Sequence, residues 1–421
     1  MNVIITPHPL AGTVDPVMSS KSQAHRLLIC AALAGSPTTL RRMGYSADVQ
    51  ATLRCLKALG ADFAREGDDL RVIPMQSPRK GALLDCGESG STLRFLLPVA
   101  AALQADCAFT GQGKLSLRPL SPLYEQLQAQ GAELSPQGSF PLRCGGALRH
   151  GRYTIAGGVS SQFVSGLLLA LPSLHGDSYL TVTGRLESKP YVEMTLQALS
   201  AFGVRIERTA DGFFIPGDQV FLSPGSLSVE GDWSGAAFWL AAGALSPDGV
   251  ACGPLRLDSA QGDRAILGLL KRFGALTETR EGSAAVRGSA LRGQEIDLSD
   301  IPDLAPILAV AAAYAKGRTV LRPIARLRLK ESDRVAAILA MLRSLGVDAR
   351  SEDDQLIIQG QGGVRGGTVD GFHDHRIVLA AAIAATAAAG PVTILGAEAV
   401  NKSYPGFFDQ FAALGGQVKE V

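Results

Sequence analysis

The sequence has no excess of charge of either sign and no long hydrophobic run. Forty Lys and Arg residues stand against 39 Asp and Glu residues, so the formal net charge at pH 7 is +1. Because nucleic-acid binding needs a basic surface, we exclude nucleic acid as a partner. The longest weakly polar run, residues 377–389, is shorter than the about 20 residues that cross a bilayer, so we expect no membrane partner.

Cysteine is scarce, and no two cysteines form a CxxC pair. The six are Cys30, Cys55, Cys86, Cys107, Cys144 and Cys252. This scatter is typical of reduced thiols, so we predict neither disulfides nor a metal site, and no other cluster suggests a cofactor. The first residues lack the basic segment and apolar core of a secretory signal, and we expect a cytoplasmic location.

Glycine, by contrast, recurs with a fixed period. Six times an apolar helical stretch runs into a glycine and then into an alternating segment, as in LKALGADF and LRSLGVDA. The glycines are Gly60, Gly131, Gly203, Gly274, Gly346 and Gly415, spaced 69 to 72 residues apart. Glycine ends a helix well because it reaches positive φ without a Cβ clash. The pattern predicts six copies of one supersecondary unit, and the chain length divides them into two domains of three.

A second periodic feature lies between these glycines. Six alanine-rich stretches are apolar around most of their circumference, which predicts buried helices. They begin near Ser22, Ser91, Ser161, Ser234, Leu304 and His375. A helix N-terminus offers about four unpaired N–H groups and roughly half a positive charge, so each is a potential anion site.

The serines and aspartates at these N-termini have two possible roles. As N-caps they would only satisfy backbone N–H groups, at about 1 kcal/mol each. That role leaves Lys21, Arg26, Arg94 and Arg376 unexplained, because a cation opposes the helix dipole at an N-terminal turn unless an anion compensates for it. We therefore expect several of these termini to bind anions.

Eight short motifs are notable, in chain order: SSKSQAHR, CGESGSTLR, SSQF, ESKPY, IPD, LRLKESDR, DHR and NKSYPGFF. All except ESKPY, LRLKESDR and NKSYPGFF lie at these helix starts. The glycines of CGESGSTLR let a phosphate approach the backbone, although a structural turn explains them equally well. In LRLKESDR, Lys330, Glu331 and Arg334 share either one functional helix face or an ordinary solvated surface. In IPD, Asp303 serves as the cap of the fifth helix, as a general base, or as both.

In this order, the motifs resemble those of the enolpyruvyl transferases over nearly the whole chain. The resemblance implies an α/β fold of two domains, each an inverse α/β barrel of three βαβαββ repeats. It places residues 1–19 and 232–421 in the first domain and residues 20–231 in the second, with the active site in the cleft between them. It implies a monomer that needs no metal or organic cofactor.

Within the family, the motif set resembles the members that transfer the enolpyruvyl group of phosphoenolpyruvate to the 5-hydroxyl of shikimate 3-phosphate, in aromatic amino acid biosynthesis. The implied catalytic residues are Asp303 as base, Glu331 as acid and Lys21 as a stabiliser of charge. The residues implied to bind shikimate 3-phosphate are Lys21, Ser22, Arg26, Ser160, Ser161, Gln162, Ser188, Tyr191, Asp303 and Lys330. Those implied to bind phosphoenolpyruvate are Lys21, Gly90, Arg118, Gln162, Arg334, Arg376 and Lys402.

Two positions depart from the family pattern. Glu88 and Arg326 stand where asparagine is frequent, so we assign neither a binding role. His375 is expected only to orient its neighbours.

Two other functions stay open. A sister group of the family acts on UDP-N-acetylglucosamine, and its members resemble Lys-Asn at the first helix and often carry a cysteine in the loop that corresponds to residues 110–118. This chain has Lys21 and Ser22 at the first helix and no cysteine in that loop. The third possibility is a non-catalytic repeat scaffold that binds anions.

Overall fold

The computed structural model describes residues 1–421 and contains twelve α-helices. The helices are α1 (Lys21–Leu33), α2 (Ala47–Leu59), α3 (Gly90–Ala102), α4 (Leu123–Ala129), α5 (Ser161–Ala170), α6 (Lys189–Ala201), α7 (Trp233–Ala244), α8 (Ile266–Phe273), α9 (Ala305–Tyr314), α10 (Arg334–Ser344), α11 (His375–Ala385) and α12 (Phe407–Ala413). The longest have 13 residues, and none combines the length and apolar character needed to cross a membrane.

Twenty-four short strands accompany the helices. They are β1 (Val3–Thr6), β2 (Gly12–Val14), β3 (Thr38–Arg41), β4 (Asp62–Glu66), β5 (Asp69–Ile73), β6 (Leu83–Asp85), β7 (Cys107–Thr110), β8 (Ala132–Leu134), β9 (Leu142–Gly146), β10 (Arg152–Ala156), β11 (Ser178–Thr183), β12 (Glu207–Thr209), β13 (Gly212–Ile215), β14 (Ser226–Ser228), β15 (Val250–Cys252), β16 (Leu276–Arg280), β17 (Ser283–Arg287), β18 (Glu295–Asp297), β19 (Lys316–Arg322), β20 (Asp348–Glu352), β21 (Gln355–Gln361), β22 (Gly367–Asp370), β23 (Val392–Leu395) and β24 (Gln417–Glu420).

The strands form six four-stranded sheets with one shared topology. In the sheet β6-β7-β9-β8, the first pair is parallel and the next two pairs are antiparallel. The same sequence of pairings recurs in β18-β19-β21-β20 and in the other four sheets. With α3 and α4 between its strands, the first of these repeats reads βαβαββ. The six-copy α/β architecture predicted from the sequence is confirmed.

The chain divides into two compact units. One contains Met1–Met18 and Glu230–Val421, with helices α7–α12 and the sheets that hold β1, β2 and β15–β24. The other contains Ser19–Val229, with helices α1–α6 and the remaining three sheets. Each unit has its own hydrophobic core.

The periodic glycines end helices in the way their spacing predicts. All six have positive φ, between 74° and 117°. At Gly60 and Gly274, the left-handed residue follows the helix directly, and its N–H donates to carbonyls of the last turn. A side chain at these positions would be strained, so the fold requires glycine there.

The alanine-rich stretches are buried helices, as expected. Every residue of α9 is buried, and so is every residue of α11. In the unit that contains them, α7, α9 and α11 pack against one another, and in the other unit α3 packs against α5. Small side chains on these helices permit the close approach. Strands of the same unit pack against them, as β15 does against α7 and β21 against α9.

Candidate active site

The N-terminus of α1 carries Lys21 in contact with a carboxylate from α2. Lys21 Nζ donates to Asp48 Oδ2 at 2.7 Å, and Asp48 is buried. Ser20 caps the helix, since its side chain accepts from Gln23 N. Asp48 therefore fixes the lysine ammonium at the helix mouth, where a bound anion can reach it.

Arg26, one turn further along α1, is buried and engaged with protein atoms. Its Nε donates to Thr195 Oγ1 at 2.7 Å, its Nη1 to Ser22 O at 2.6 Å and its Nη2 to Tyr191 O at 2.8 Å. The guanidinium also lies over the ring of Phe95, at 4.9 Å from the centroid. Burial lowers its pKa to about 10, so Arg26 remains a cation at neutral pH. Arg26 therefore links α1 to α6 through its hydrogen bonds to Thr195 and Tyr191.

A hydrogen-bonded chain joins the start of α3 to the start of α5. Arg94 Nη1 donates to Gln162 Oε1 at 2.8 Å, and Gln162 Nε2 donates to Ser91 Oγ at 2.8 Å. Arg94 Nη2 also donates to Pro119 O at 2.8 Å, which ties down the loop next to Arg118. The two helix mouths and this loop are thus positioned together.

Gly90 is the first residue of α3 and lies against the guanidinium of Arg118. A Cβ added at Gly90 would lie 2.6 Å from Arg118 Nη1, a distance that real Cβ contacts do not show. The absent side chain lets the guanidinium approach the helix N-terminus. A cation and the unpaired N–H groups of α3 therefore face the same small space.

The remaining predicted site residues of this unit are three serines and a tyrosine. Ser160 caps α5, with its side chain accepting from Gln162 N at 3.3 Å, and Ser161 begins the helix. Ser188 is buried and precedes α6 with φ of 55°, the left-handed region that a serine seldom adopts. Such strained residues cluster at functional sites. Tyr191 lies in the first turn of α6.

In the other unit, Asp303 contacts three cations. Its Oδ1 accepts from Lys330 Nζ at 3.2 Å and from Arg334 Nη1 at 2.8 Å. Its Oδ2 accepts from Arg376 Nη2 at 3.3 Å, and its backbone carbonyl accepts from Arg376 Nη1 at 3.0 Å. Burial alone would raise the pKa of Asp303, but Arg376, Lys330 and Arg334 outweigh it and hold that pKa well below its usual range. Asp303 is therefore a carboxylate at neutral pH.

Arg334 organises the carboxylates of this cluster and is nearly inaccessible to solvent. Its Nη2 donates to Glu331 Oε2 at 2.6 Å, and its Nε donates to Asp374 Oδ2 at 2.8 Å. Asp374 also accepts from Ser332 Oγ at 3.0 Å and caps α11. Although burial opposes it, contact with Asp374, Glu331 and Asp303 raises the pKa of Arg334 above its ordinary value. Three carboxylates thus hold one guanidinium in a fixed orientation.

The residues that cap the buried helices are not the residues near which the sequence predicts these helices to begin. The caps are Ser20, Ser89, Ser160, Asp232 and Asp374 for α1, α3, α5, α7 and α11. For the fifth buried helix, α9, the interpretation of Asp303 as a side-chain cap is wrong. The cap position is Leu304, without a side-chain hydrogen bond, and Asp303 lies in the preceding 3₁₀ turn Pro302–Leu304. Its carboxylate contacts Lys330, Arg334 and Arg376 instead of the backbone N–H groups of α9.

Two further sequence features have definite places. Lys402 ends the 3₁₀ segment Ala397–Lys402 and is partly buried. Glu88, one of the two departures from the family pattern, lies in the loop before α3, and its carboxylate occupies the space that a Cβ at Gly113 would fill.

Sequence reasoning missed several side chains that hold the predicted ones in place. Asp48, Thr195 and Asp374 contact Lys21, Arg26 and Arg334. Asp374 had a local signal, because it directly precedes His375 in the DHR motif. Asp48 and Thr195 had none, since 27 and 169 residues separate them from their partners.

The fold is that of enolpyruvyl transferases. One similar solved structure is the enolpyruvyl transferase NikO from Streptomyces tendae, with a TM-score of 0.81 at 18% identity over 100% of this chain and 98% of that one. Another is EPSP synthase from Acinetobacter baumannii, with a TM-score of 0.82 at 26% identity over the whole of both chains.

Sequence comparison narrows this class. The family model described as EPSP synthase (3-phosphoshikimate 1-carboxyvinyltransferase) matches residues 4–411. A relative from Clostridium kluyveri, named 3-phosphoshikimate 1-carboxyvinyltransferase, is 41% identical over 99% of this chain and 98% of its own length. A relative of the same name from Clostridium acetobutylicum is 41% identical over 100% of this chain and 99% of its own. The chain belongs to the EPSP synthase family.

Proposed function

We propose that the protein transfers the enolpyruvyl group of phosphoenolpyruvate to the 5-hydroxyl of shikimate 3-phosphate and releases phosphate, a step of aromatic amino acid biosynthesis. Family membership and the names of the relatives support this reaction. The observation that carries the mechanism is Asp303, a carboxylate held by Lys330, Arg334 and Arg376. A base and several cations side by side suit a reaction that removes a hydroxyl proton between two anions.

In the proposed mechanism, Asp303 accepts the proton of the 5-hydroxyl while Glu331 protonates the methylene carbon of phosphoenolpyruvate. The hydroxyl oxygen forms a bond to the adjacent carbon, giving a tetrahedral adduct. The carbon–oxygen bond to phosphate then breaks, the methyl carbon returns its proton, and the hydroxyl proton leaves with phosphate. Lys21, Arg118 and Lys402 stabilise the negative charge as it moves.

The predicted binding residues form two sets, one for each substrate. Shikimate 3-phosphate is held by Ser22, Ser160, Ser161, Ser188, Tyr191, Asp303 and Lys330. Phosphoenolpyruvate is held by Gly90, Arg118, Arg334, Arg376 and Lys402. Lys21 and Gln162 are common to both sets. Arg26 belongs to the first set, but its contacts with Ser22 O and Tyr191 O support action through those residues. The predicted domain boundaries, the predicted cleft, a cytoplasmic monomer and independence from metals and cofactors are parts of the same proposal.

Substrate choice is tested by phosphate release. The purified protein is incubated with phosphoenolpyruvate and either shikimate 3-phosphate or UDP-N-acetylglucosamine. We expect release only with shikimate 3-phosphate. Release only with the sugar nucleotide would replace this function by that of the sister transferases, and no release with either acceptor would favour an anion-binding scaffold.

The base is tested by Asp303→Asn, which keeps the shape of the side chain and removes its basicity. We expect kcat to fall by about 10² to 10⁴, the usual contribution of a general base. Asp353→Asn is the matched control, because Asp353 is exposed at the β20–β21 turn. Turnover of the Asp303 variant at the wild-type rate would exclude Asp303 as the base.

A further inference from the structure

One buried helix start has no part in the proposed mechanism. At the N-terminus of α7, Asp232 accepts from the backbone N–H groups of Ser234 and Gly235. The hydroxyl of Ser234 then donates a hydrogen bond to Asp263 Oδ2, in the 3₁₀ turn Gly262–Ala265. This helix start therefore has a second carboxyl group, that of Asp263, beside the capping Asp232.

Asp263 differs from Asp303 and Asp374 in its contacts. It is 2% exposed, its Oδ2 contacts only the Ser234 hydroxyl, and its Oδ1 is buried without any hydrogen-bond partner. Asp303 and Asp374, by contrast, each contact at least one guanidinium. A buried carboxylate that has no ion pair and one bare oxygen costs several kcal/mol. A neutral carboxylic acid avoids most of this cost.

The charged groups around Asp263 come from several elements. Arg376 on α11 and Lys330 act to lower its pKa, whereas burial, which is the largest effect, and the charge of Asp303 raise it, so that the pKa lies above its ordinary value. On its own turn, Arg264 is exposed and donates to the carbonyl of Leu257. The attraction of two cations does not compensate for burial, because neither makes a hydrogen bond to Asp263.

Charge balance explains why a neutral Asp263 matters. The ion pairs around Asp303 and Arg334 form one cluster, whose three positive and three negative charges cancel. Its members are the cations Lys330, Arg334 and Arg376 and the carboxylates Asp303, Glu331 and Asp374. An ionised Asp263 would add a fourth negative charge next to Arg376. That charge would repel an incoming anion and compete for the cations that must bind it.

We propose that Asp263 is a positioning residue that remains a neutral carboxylic acid in the working enzyme, and that its neutrality keeps Arg376 available to phosphoenolpyruvate. The proposal rests on the function proposed above. Asp263 acts through the charge balance and through Ser234, and it does not touch the substrate.

The first test compares the pH dependence of KM for phosphoenolpyruvate in the wild type and in Asp263→Asn. Asparagine has the shape of the neutral acid and cannot ionise. As pH rises, Asp263 loses its proton in the wild type. The KM of the wild-type enzyme for phosphoenolpyruvate should therefore rise by roughly tenfold more than that of the variant. Asp353→Asn should behave like the wild type. Superimposable profiles for wild type and Asp263→Asn would overturn the proposal.

The second test needs no turnover, so it separates this proposal from the proposed function. Infrared difference spectra of the ligand-free enzymes at neutral pH, wild type minus Asp263→Asn, should contain the carbonyl band of a protonated carboxyl group. Absence of that band would overturn the proposal even if the enzyme is active. If Asp263→Asn does not fold, Ser234→Ala takes its place. The carbonyl band should then persist at a shifted frequency, because Asp263 has lost its hydrogen bond from Ser234. An unshifted band would refute that hydrogen bond and the proposal that depends on it.

Discussion

His25 provides the clearest link between a buried group and a solution measurement. It lies on α1 between Lys21 and Arg26, is fully buried, and its Nδ1 is 2.7 Å from Thr52 Oγ1. Its Nε2 is buried without a hydrogen-bond partner. Burial, the largest effect, lowers the pKa of His25 from 6.5 to about 3. The native protein therefore keeps this imidazole neutral over a pH range in which the unfolded chain protonates it.

The sign and the size of the effect follow from proton linkage. Below pH 6.5 the unfolded state binds a proton that the native state does not bind until about pH 3, so stability falls as pH falls through this range. Each pH unit costs about 1.4 kcal/mol, so His25 alone lowers the free energy of unfolding by about 2 kcal/mol at about pH 5 and by about 5 kcal/mol near its folded pKa.

Equilibrium urea unfolding, followed by far-ultraviolet circular dichroism at two pH values, measures this loss. His25→Gln keeps a hydrogen-bonding side chain for Thr52 and removes the titration, so the variant should lose about 2 kcal/mol less than the wild type between neutral pH and about pH 5. His150→Gln, at an exposed position in the same unit, should lose as much as the wild type. Both tryptophans lie in the other unit, so tryptophan fluorescence reports separately on that unit. Equal losses for wild type and His25→Gln would refute the reasoning.

Two other substitutions test the cationic contacts. Gly90→Ala should raise KM for phosphoenolpyruvate in steady-state assays, because its Cβ would displace the guanidinium of Arg118; Gly268→Ala, which has open space at its Cβ, should not, and equal KM values would contradict the packing. Arg334→Lys should lower the free energy of unfolding by about 3 kcal/mol in a denaturant titration, since one ammonium cannot contact the buried carboxylate of Asp374 and the partly buried carboxylates of Asp303 and Glu331 together. An unchanged midpoint and slope would show that those carboxylates do not depend on Arg334.

The sequence specifies the repeat well because its signals are local. A glycine at a helix end and an apolar helical period act within one repeat, so Gly60 and Gly274 mark C-caps that the structure confirms. The same local logic predicts where the buried helices begin. The predicted starts lie within one residue of the observed ones. Which residue caps each helix is decided by backbone dihedrals, which a run of neighbouring serines at α1 or α5 does not reveal.

The candidate site is less accessible to sequence reasoning, because its order depends on pairings between distant residues. Lys21 and Arg334 stand out from their motifs, yet no motif indicates that Asp48 pairs with Lys21 or that Asp374 pairs with Arg334. Asp263 belongs to the same class. Its burial and its bare oxygen arise from the packing of α7 against the turn that carries it, and a lone aspartate in a QGD sequence indicates neither.

The low pKa of Asp303 has to be reconciled with its proposed role as a general base. A carboxylate stabilised by three cations is a weak base, and general base catalysis improves as the pKa of the base approaches the working pH. In the proposed mechanism, the carboxylate and phosphate of phosphoenolpyruvate take over donors of Arg334 and Arg376. Each donor that moves to the substrate leaves Asp303 less stabilised, so its pKa rises and its basicity increases. In this proposal, the free enzyme holds these cations on its own carboxylates, and binding of the anionic substrate converts Asp303 from a counter-ion into a base.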